Sequence, residues 1–275
     1  MAKSHKNTPR RFKGIKQSTS PCPIDPNVID HLGKYFDVCN YAMKREEEFW
    51  FRGHADINWE LTPSALRQET EEMRNKALDL VFEFKRIAEI KLPNPPGAEE
   101  QLKWIQLARH YGLPTRLLDW TRNAGIALYF ACCDKDNKDG AVYILNPKNL
   151  NSQIGLASSR VFDAHSDAEI IKPYLTLSGA QRKDGCPSIA IHPVWNSERI
   201  VLQQGVFTLS GSREFALTDK QAPGLYCLQI RKQHKETLRM ELERVGINEM
   251  AIFPEPEHTC NYLMWREHLD FERST

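Results

Sequence analysis

The sequence lacks the features that mark membrane, secreted and strongly nucleic-acid-binding proteins. Its 37 basic and 36 acidic residues leave a net charge of +1, so no global basic field attracts nucleic acid. Its best apolar run, 124–133, has about half the length of a membrane-spanning helix. The basic N-terminus has no apolar core and is not a secretory signal. Seven scattered cysteines argue against a disulfide framework, so we expect a reduced, cytoplasmic protein without a membrane partner.

The sequence also lacks the standard motifs of several enzyme classes. It contains no glycine-rich dinucleotide fingerprint, no phosphate-binding loop that ends in Gly-Lys-Ser/Thr and no Gly-x-Ser-x-Gly nucleophile turn. No two cysteines have zinc-ligand spacing, and no two histidines lie four residues apart on a helix. We therefore expect no metal site, and any catalysis must use a less familiar set of residues.

The residues that are present predict a folded chain of mixed secondary structure. Of the 275 residues, 41% are hydrophobic and 9% aromatic, a composition typical of globular proteins. Helices are predicted over 70–92, 98–111 and 122–133, with a charged helix over 232–245. The predicted strands are mostly later, over 140–145, 188–192, 205–209 and 225–230. We predict one α+β domain over 25–275 with a mostly antiparallel sheet, after a basic flexible tail over 1–24.

Two local predictions concern the surroundings of the candidate site. The aromatic run 49–51 predicts a short strand that stops at Gly53. The segment 113–121 is predicted to be irregular, and Asp119 or Thr121 is expected to cap the helix that follows.

The first candidate functional block is Phe-Arg-Gly-His, at 51–54. An arginine after an aromatic strand presents a fixed fork of five donors, and the next glycine lets another backbone approach closely. Such a fork suits a phosphate or a carboxylate. The alternative is that Arg52 satisfies carbonyl groups at the strand end.

The second block, 109–123, places polar side chains in a Gly/Pro-shaped turn between two apolar helices, where functional groups often lie. The polar and aromatic candidates are His110, Tyr111, Thr115, Arg116, Asp119, Trp120 and Thr121. Structural alternatives exist for four of them. In these alternatives, Arg116 pairs with Asp119, Trp120 is a core residue, and His110 is an interior histidine with its hydrogen bonds satisfied.

The third block, 203–208, places Gln203 and Gln204 at a sharp turn before a strand that carries Phe207. A neutral amide both donates and accepts hydrogen bonds, which suits recognition of a base or another amide. Glutamine is not a general base, so this block alone does not supply catalysis.

Together these blocks resemble the FRG domain, a family named for its Phe-Arg-Gly signature, here at 51–53. The family's aromatic-Gly-Leu-Pro-Thr-Arg-Leu-Leu-Asp-Trp-Thr motif matches 111–121 without a gap, and Ala-Leu-Tyr-Phe-Ala follows at 127–131. Further matching blocks are Gln-Gly-x-Phe-Thr at 204–208, Gly-Ile at 246–247 and Phe-Pro at 253–254. The resemblance covers most of the chain, from 45 to 255.

The resemblance implies a mostly bacterial domain found in mobile-element or phage-conflict settings, with a layout similar to ADP-ribosyltransferases that consume NAD. By that analogy Arg52, His110 and Gln204 are catalytic. The implied cofactor-binding residues are Arg52, Gly53, His54, Tyr111, Thr115, Arg116, Asp119, Trp120, Thr121, Gln203 and Phe207. Arg52 holds an NAD phosphate or ribose, Tyr111 or Trp120 stacks on the nicotinamide, and Thr115 or Thr121 supports the ribose.

One position departs from the transferases. By the resemblance, the position of their catalytic glutamate is near Gln203 or Gln204 in this sequence. A neutral amide stabilises a developing positive charge less well than a carboxylate does. Glu198 or Glu214 is a candidate replacement.

Two functions therefore stay open. The first is an NAD-dependent ADP-ribosyltransferase-like toxin or effector. The second is a non-catalytic module that binds nucleotide, nucleic acid or protein, with the basic residues of 1–20 contacting nucleic acid.

Overall fold

The computed structural model describes residues 29–43, 47–154, 160–175, 186–194, 197–211, 216–218, 220, 222–267 and 269. The predicted basic tail 1–24 and Glu214 lie outside these residues.

The centre of the fold is a six-stranded sheet in which every neighbouring pair is antiparallel. Its strands are β1 (Trp50–His54), β2 (Leu117–Thr121), β3 (Gly140–Leu145), β4 (Ile189–Ile191), β5 (Gly205–Leu209) and β6 (Tyr226–Ile230). They are arranged in the order β4-β5-β2-β1-β3-β6. The prediction of an α+β fold with an antiparallel sheet is confirmed.

Ten α-helices surround the sheet in the described residues. They are α1 (Leu32–Ala42), α2 (Glu71–Lys91), α3 (Gln101–His110), α4 (Ala124–Cys132), α5 (Pro147–Ser152), α6 (Ala168–Leu175), α7 (Glu198–Leu202), α8 (Lys235–Arg244), α9 (Glu249–Ile252) and α10 (Pro256–Arg266). Short 3-10 helices cover Ser64–Arg67 and Lys232–His234. Within the described ranges, no helix combines the length and apolarity that a membrane crossing requires.

Local sequence signals explain the ends of the two long early helices. The Thr70 side chain accepts a hydrogen bond from the Met73 N–H and begins α2. Gly112 follows α3 with a φ of +89°, a left-handed conformation that glycine adopts without steric cost. Both helices were predicted, within a few residues at each end.

Three local predictions were wrong. The segment 113–121 is not irregular, because it contains the central strand β2. Asn123 caps α4 by accepting from the N–H groups of Gly125 and Ile126. Asp119 and Thr121 cannot do so because they belong to β2. Strand β1 also does not stop at Gly53 but continues to His54.

Helix α4 lies directly on β1 and explains why a glycine is tolerated inside that strand. A Cβ atom on Gly53 would lie 1.9 Å from the Ala127 carbonyl oxygen and 2.7 Å from the Ala131 nitrogen. Phe51, on the same strand, packs with Ala127 and Ala131 in one hydrophobic cluster. The helix and the strand are therefore held at a separation that only glycine allows.

Candidate functional site

A cleft of about 390 Å³ lies beside the central strands, within the size range of small-molecule pockets. It exceeds two other cavities, of about 250 and 340 Å³. Its lining comes from β1, α3, β2, α4, α7 and β5, and consists of Phe51, Arg52, Gly53, Gln106, Arg109, His110, Gly112, Asp119, Trp120, Thr121, Phe130, Ser197, Arg199, Ile200, Gln203, Gly205 and Phe207.

Arg52 occupies a break between the two central strands. β1 and β2 have one register pair, Phe51 opposite Thr121, whereas β2 and β5 have five. Beyond that pair the Asp119 carbonyl accepts from Arg52 Nη1 at 2.6 Å instead of from the neighbouring strand. The guanidinium thus replaces a missing ladder hydrogen bond. This contact matches the alternative in which Arg52 satisfies strand carbonyls.

His54 orients the Arg52 fork from the same strand. Arg52 Nε donates to His54 Nε2 at 2.9 Å, and His54 Nδ1 lies 3.2 Å from the Trp59 carbonyl oxygen. A guanidinium can only donate, so Nε2 must be the acceptor and Nδ1 carries the proton. Among the described residues Arg52 Nη2 makes no hydrogen bond, and Arg52 lines the cleft. The two N–H groups of Arg52 Nη2 are therefore available to a ligand.

A second arginine, Arg109, neutralises the carboxylate of the cleft. Its Nε and Nη2 donate to the two oxygens of Asp119, and its Nη1 donates to Ser64 Oγ. Arg52 Nη1 lies 3.7 Å from Asp119 Oδ2. Burial alone raises the pKa of Asp119, but Arg109 and then Arg52 outweigh it and lower that pKa to about 2. Attraction to Asp119 raises the pKa of Arg109.

The cleft carries more positive than negative charge. Three arginines line it, at 52, 109 and 199, against the carboxylate of Asp119 in the lining and that of Glu255, which lies 3.7 Å from Arg199. Burial lowers the pKa of Arg52 to about 10, and repulsion from Arg109 adds to the effect. Arg52 nevertheless stays charged at pH 7. An anion that enters the cleft would reduce the repulsion between these arginines.

Arg199 and His110 form another part of the lining. Arg199 lies 3.7 Å from a Glu255 carboxylate oxygen, and its guanidinium lies 4.5 Å from the centre of the Phe253 ring. Burial lowers the pKa of His110 below its usual 6.5, and repulsion from Arg199 adds to this. His110 is therefore mainly neutral at pH 7 and can accept a proton.

Residues 47–140 match the family model of the FRG domain. The chain contains an FRG domain. The match includes β1, α3, β2 and α4, which supply Arg52, Arg109 and Asp119 to the cleft. It does not include α7 and β5, which supply Arg199 and Phe207. No curated protein and no solved structure matches the chain.

The three signature residues of the FRG domain have three different roles. Phe51 is 3% exposed and packs in the core. Arg52 fills the break between β1 and β2. Gly53 provides the space for α4. The signature thus combines a core contact, a cation at the cleft and a close approach of two backbones in consecutive positions.

Most of the predicted site residues lie at the cleft. Its lining includes eight of them: Arg52, Gly53, His110, Asp119, Trp120, Thr121, Gln203 and Phe207. Three of the eight have contacts that limit their use. The Trp120 indole N–H donates to Thr208 Oγ1 in the core, Thr121 Oγ1 donates to the Gln203 carbonyl, and Gln203 Nε2 donates to the Ile252 carbonyl.

The other five predicted residues do not line the cleft. Thr115 and Arg116 are buried, and His54 lies behind Arg52. Tyr111 is 59% exposed, with its ring 5.9 Å from that of Phe84. Gln204 is exposed in the turn before β5, with a φ of +47°.

Sequence reasoning missed Gln106, Arg109 and Arg199. One structural alternative paired Asp119 with Arg116, whereas Arg109 makes the hydrogen-bonded ion pair and Arg52 lies 3.7 Å away. A helical pattern could have indicated part of this set, because residues 106, 109 and 110 share one face of α3. No local signal identifies Arg199, which belongs to the cleft only because α7 packs beside β5. In the described residues no group of three histidine, cysteine or acidic side chains is placed to hold a metal.

Proposed function

We propose that the FRG domain binds a nucleotide in this cleft by its phosphate groups, and that the nucleotide is NAD. The observation that carries the proposal is the free Nη2 end of Arg52. The guanidinium is oriented by His54 and by the Asp119 carbonyl, so it is held in place before a ligand arrives. Each of the two unused N–H groups on Nη2 can donate a charge-assisted hydrogen bond to a phosphate oxygen.

The charge of the cleft supports a phosphate ligand. The single negative charge of Asp119 does not neutralise all the arginines, because both of its oxygens already accept hydrogen bonds from Arg109. Arg52 and Arg199 line the same cleft. A diphosphate carries two negative groups that could interact with both of them.

ADP-ribosyl transfer is a second candidate, favoured by the neutral state of His110. In this reaction the bond between nicotinamide and ribose C1′ breaks, and an acceptor oxygen or nitrogen forms a new bond to C1′. Nicotinamide leaves as a neutral molecule, and His110 accepts the proton of the acceptor group. Asp119 is the ionised carboxylate in the lining. Glu198 is exposed and does not line the cleft.

The resemblance adds that such a protein would act as a cytoplasmic toxin or as an effector in phage conflict. A nucleic-acid-binding role rests on the basic residues of 1–20, which lie outside the described residues. The arginine-lined cleft favours the nucleotide over the nucleic acid.

Calorimetric titration of NAD into wild type, Arg52→Ala and Arg52→Lys tests the binding proposal. Losing charge-assisted hydrogen bonds typically costs about 1.5–3 kcal/mol, so Arg52→Ala should bind NAD at least about tenfold more weakly. Arg52→Lys keeps the charge but not the fork and should give a smaller loss. Arg86→Ala, which removes an exposed arginine of α2, is the matched control. NAD affinity equal to wild type in a folded Arg52→Ala protein would refute the proposal.

Adenine-labelled NAD incubated with wild type and cell lysate tests the transfer reaction. Label on the protein or nucleic-acid fraction, present with wild type and absent with Arg52→Ala, would establish a transferase and identify its target class. NAD binding without label transfer and without NAD loss would establish the binding module instead.

A further inference from the structure

Gln106 presents a buried hydrogen-bond donor without a partner among the described residues. The residue lies on α3 and is only 2% exposed. The Val194 N–H donates to its Oε1 at 3.2 Å. Because a backbone N–H can only donate, this contact determines which arm of the amide is oxygen. Nε2 is therefore the other polar atom of the amide, and among the described residues it has no hydrogen-bond partner.

An unpaired buried amide donor is costly, and folded proteins retain few of them. Gln106 lines the candidate cleft, whereas Val194 does not. The amide oxygen is held by the Val194 N–H, and Nε2 is the polar atom of this lining residue that remains without a partner among the described residues. A ligand acceptor at this position would satisfy a donor that the protein itself leaves unsatisfied.

The surroundings of Gln106 differ from those of Arg52. Gln106 lies one turn before Arg109 on the same face of α3, about 4.5 Å away along the helix axis. Ile200 and Phe207 also line the cleft and pack in the hydrophobic cluster that includes Ile105 and Ala108 of α3. The lining that α3 shares with Ile200 and Phe207 therefore combines apolar walls with the neutral amide of Gln106 and with Arg109 and His110, which suits a flat heterocycle attached to a phosphate.

We propose that Gln106 Nε2 donates a hydrogen bond to the uncharged heterocycle of the bound nucleotide. The inference rests on the proposed nucleotide binding and makes it more specific. Arg52 contacts the phosphates, and Gln106 recognises a ring nitrogen or carboxamide oxygen of the base or the nicotinamide. The ligand class is then a nucleotide with such an acceptor, and bare pyrophosphate or a sugar phosphate is bound less tightly.

Titrations of NAD and of inorganic pyrophosphate into the same variants test this division. Gln106→Met keeps an unbranched side chain and removes the donor. It should bind NAD about tenfold more weakly and pyrophosphate as wild type does. Arg52→Ala should weaken the binding of both. Gln101→Met, at an exposed position of α3, should change neither.

Gln106→Met also removes the acceptor of the Val194 N–H, so its melting temperature is measured in parallel. Gln106→Glu keeps an acceptor for that N–H and serves if the first variant does not fold. Its added negative charge affects both ligands, so the ratio of NAD to pyrophosphate affinity is compared. That ratio should fall in Gln106→Met, and a fall in Gln106→Glu is the stricter test, because the added charge by itself repels pyrophosphate more than NAD and raises the ratio.

Three results overturn the inference. The first is unchanged NAD binding in a folded Gln106→Met protein, which would mean that water satisfies the amide. The second is an equal loss for NAD and pyrophosphate, which would indicate a structural role. The third is a wild type that binds pyrophosphate as tightly as NAD. Each leaves the role of Arg52 intact, whereas a wild type that binds neither ligand refutes the proposed function itself.

Discussion

Replacing Asp119 with asparagine should destabilise the protein and strengthen anion binding at the same time. The carboxylate is paired with Arg109 through both oxygens and lies 3.7 Å from Arg52. Asparagine has nearly the same shape but no charge. Its introduction leaves two neighbouring arginines without their counter-ion, which weakens the fold and makes the cleft more positive.

The magnitude follows from the pKa of Asp119. A fall from 3.8 to about 2 corresponds to an upper limit of about 2.5 kcal/mol of stabilisation at neutral pH. The side chain is 41% exposed, so water screens the interaction and reduces its contribution. We expect Asp119→Asn to lower the free energy of unfolding by about 1–2 kcal/mol at pH 7.

The pH dependence has a definite sign. Because the pKa of Asp119 is lower in the folded state, its stabilisation is complete above the unfolded pKa of 3.8. It is lost as the pH falls toward the folded value of about 2. About half of the contribution should already be lost at pH 3. The difference between wild type and Asp119→Asn should therefore shrink between pH 5 and pH 3.

Urea unfolding followed by tryptophan fluorescence, at pH 7, 5, 4 and 3, measures this difference. Asp79→Asn, at an exposed position of α2, should change the stability by less than about 0.5 kcal/mol. Titration of pyrophosphate at pH 7 measures the second effect. A stability difference that is constant from pH 7 to pH 3 would refute the electrostatic argument. Weaker pyrophosphate binding by Asp119→Asn would show that Asp119 positions the arginines more than it neutralises them.

Two further predictions concern backbone positions near the cleft. Gly53→Ala should destabilise the protein by about 3 kcal/mol or more because its Cβ meets the α4 backbone. Gly112→Ala, with open space but a φ of +89°, should cost only about 1 kcal/mol; equal losses in chemical denaturation would contradict this difference. Gln204→Gly should raise stability by about 0.5 kcal/mol, because glycine relieves the strain of a φ of +47°. It should also leave NAD affinity unchanged, and a loss of affinity in the stable variant would assign the exposed amide of Gln204 to the site.

The antiparallel α+β fold and the boundaries of α2, α3 and α4 could be predicted from the sequence, since they depend on local patterns, whereas α5 and α6 lie in a stretch without clear periodicity. Helical periodicity, the Thr70 cap and the left-handed glycine at 112 determine α2 and the end of α3. Strand β2 could not be recognised in this way. Its alternation is obscured because Leu117 and Leu118 are both buried, on opposite faces of a central strand.

The candidate site was also predicted only in part from the sequence. The motifs contain Arg52 and Asp119, whose residue types already indicate an ion site, and the structure places both at the cleft. The role of Arg109 as the hydrogen-bonded partner of Asp119 could not be predicted, because Arg109 reaches Asp119 only when α3 packs beside β2. Arg199 and the orientation of the Gln106 amide also depend on contacts between segments that are distant in the sequence.

Lys235 illustrates why charge patterns alone mislead. It lies in a helix that its many charges mark as a surface helix, yet it is 1% exposed. Its Nζ donates to the carbonyl oxygens of Ala55, Asp134 and Lys135. Ala55 lies in the loop after β1, and Asp134 and Lys135 lie in the loop after α4. The sequence by itself determined the helix and the presence of the lysine. The tertiary structure alone decided that the ammonium group is buried, because only the folded backbone supplies three carbonyl groups at one point.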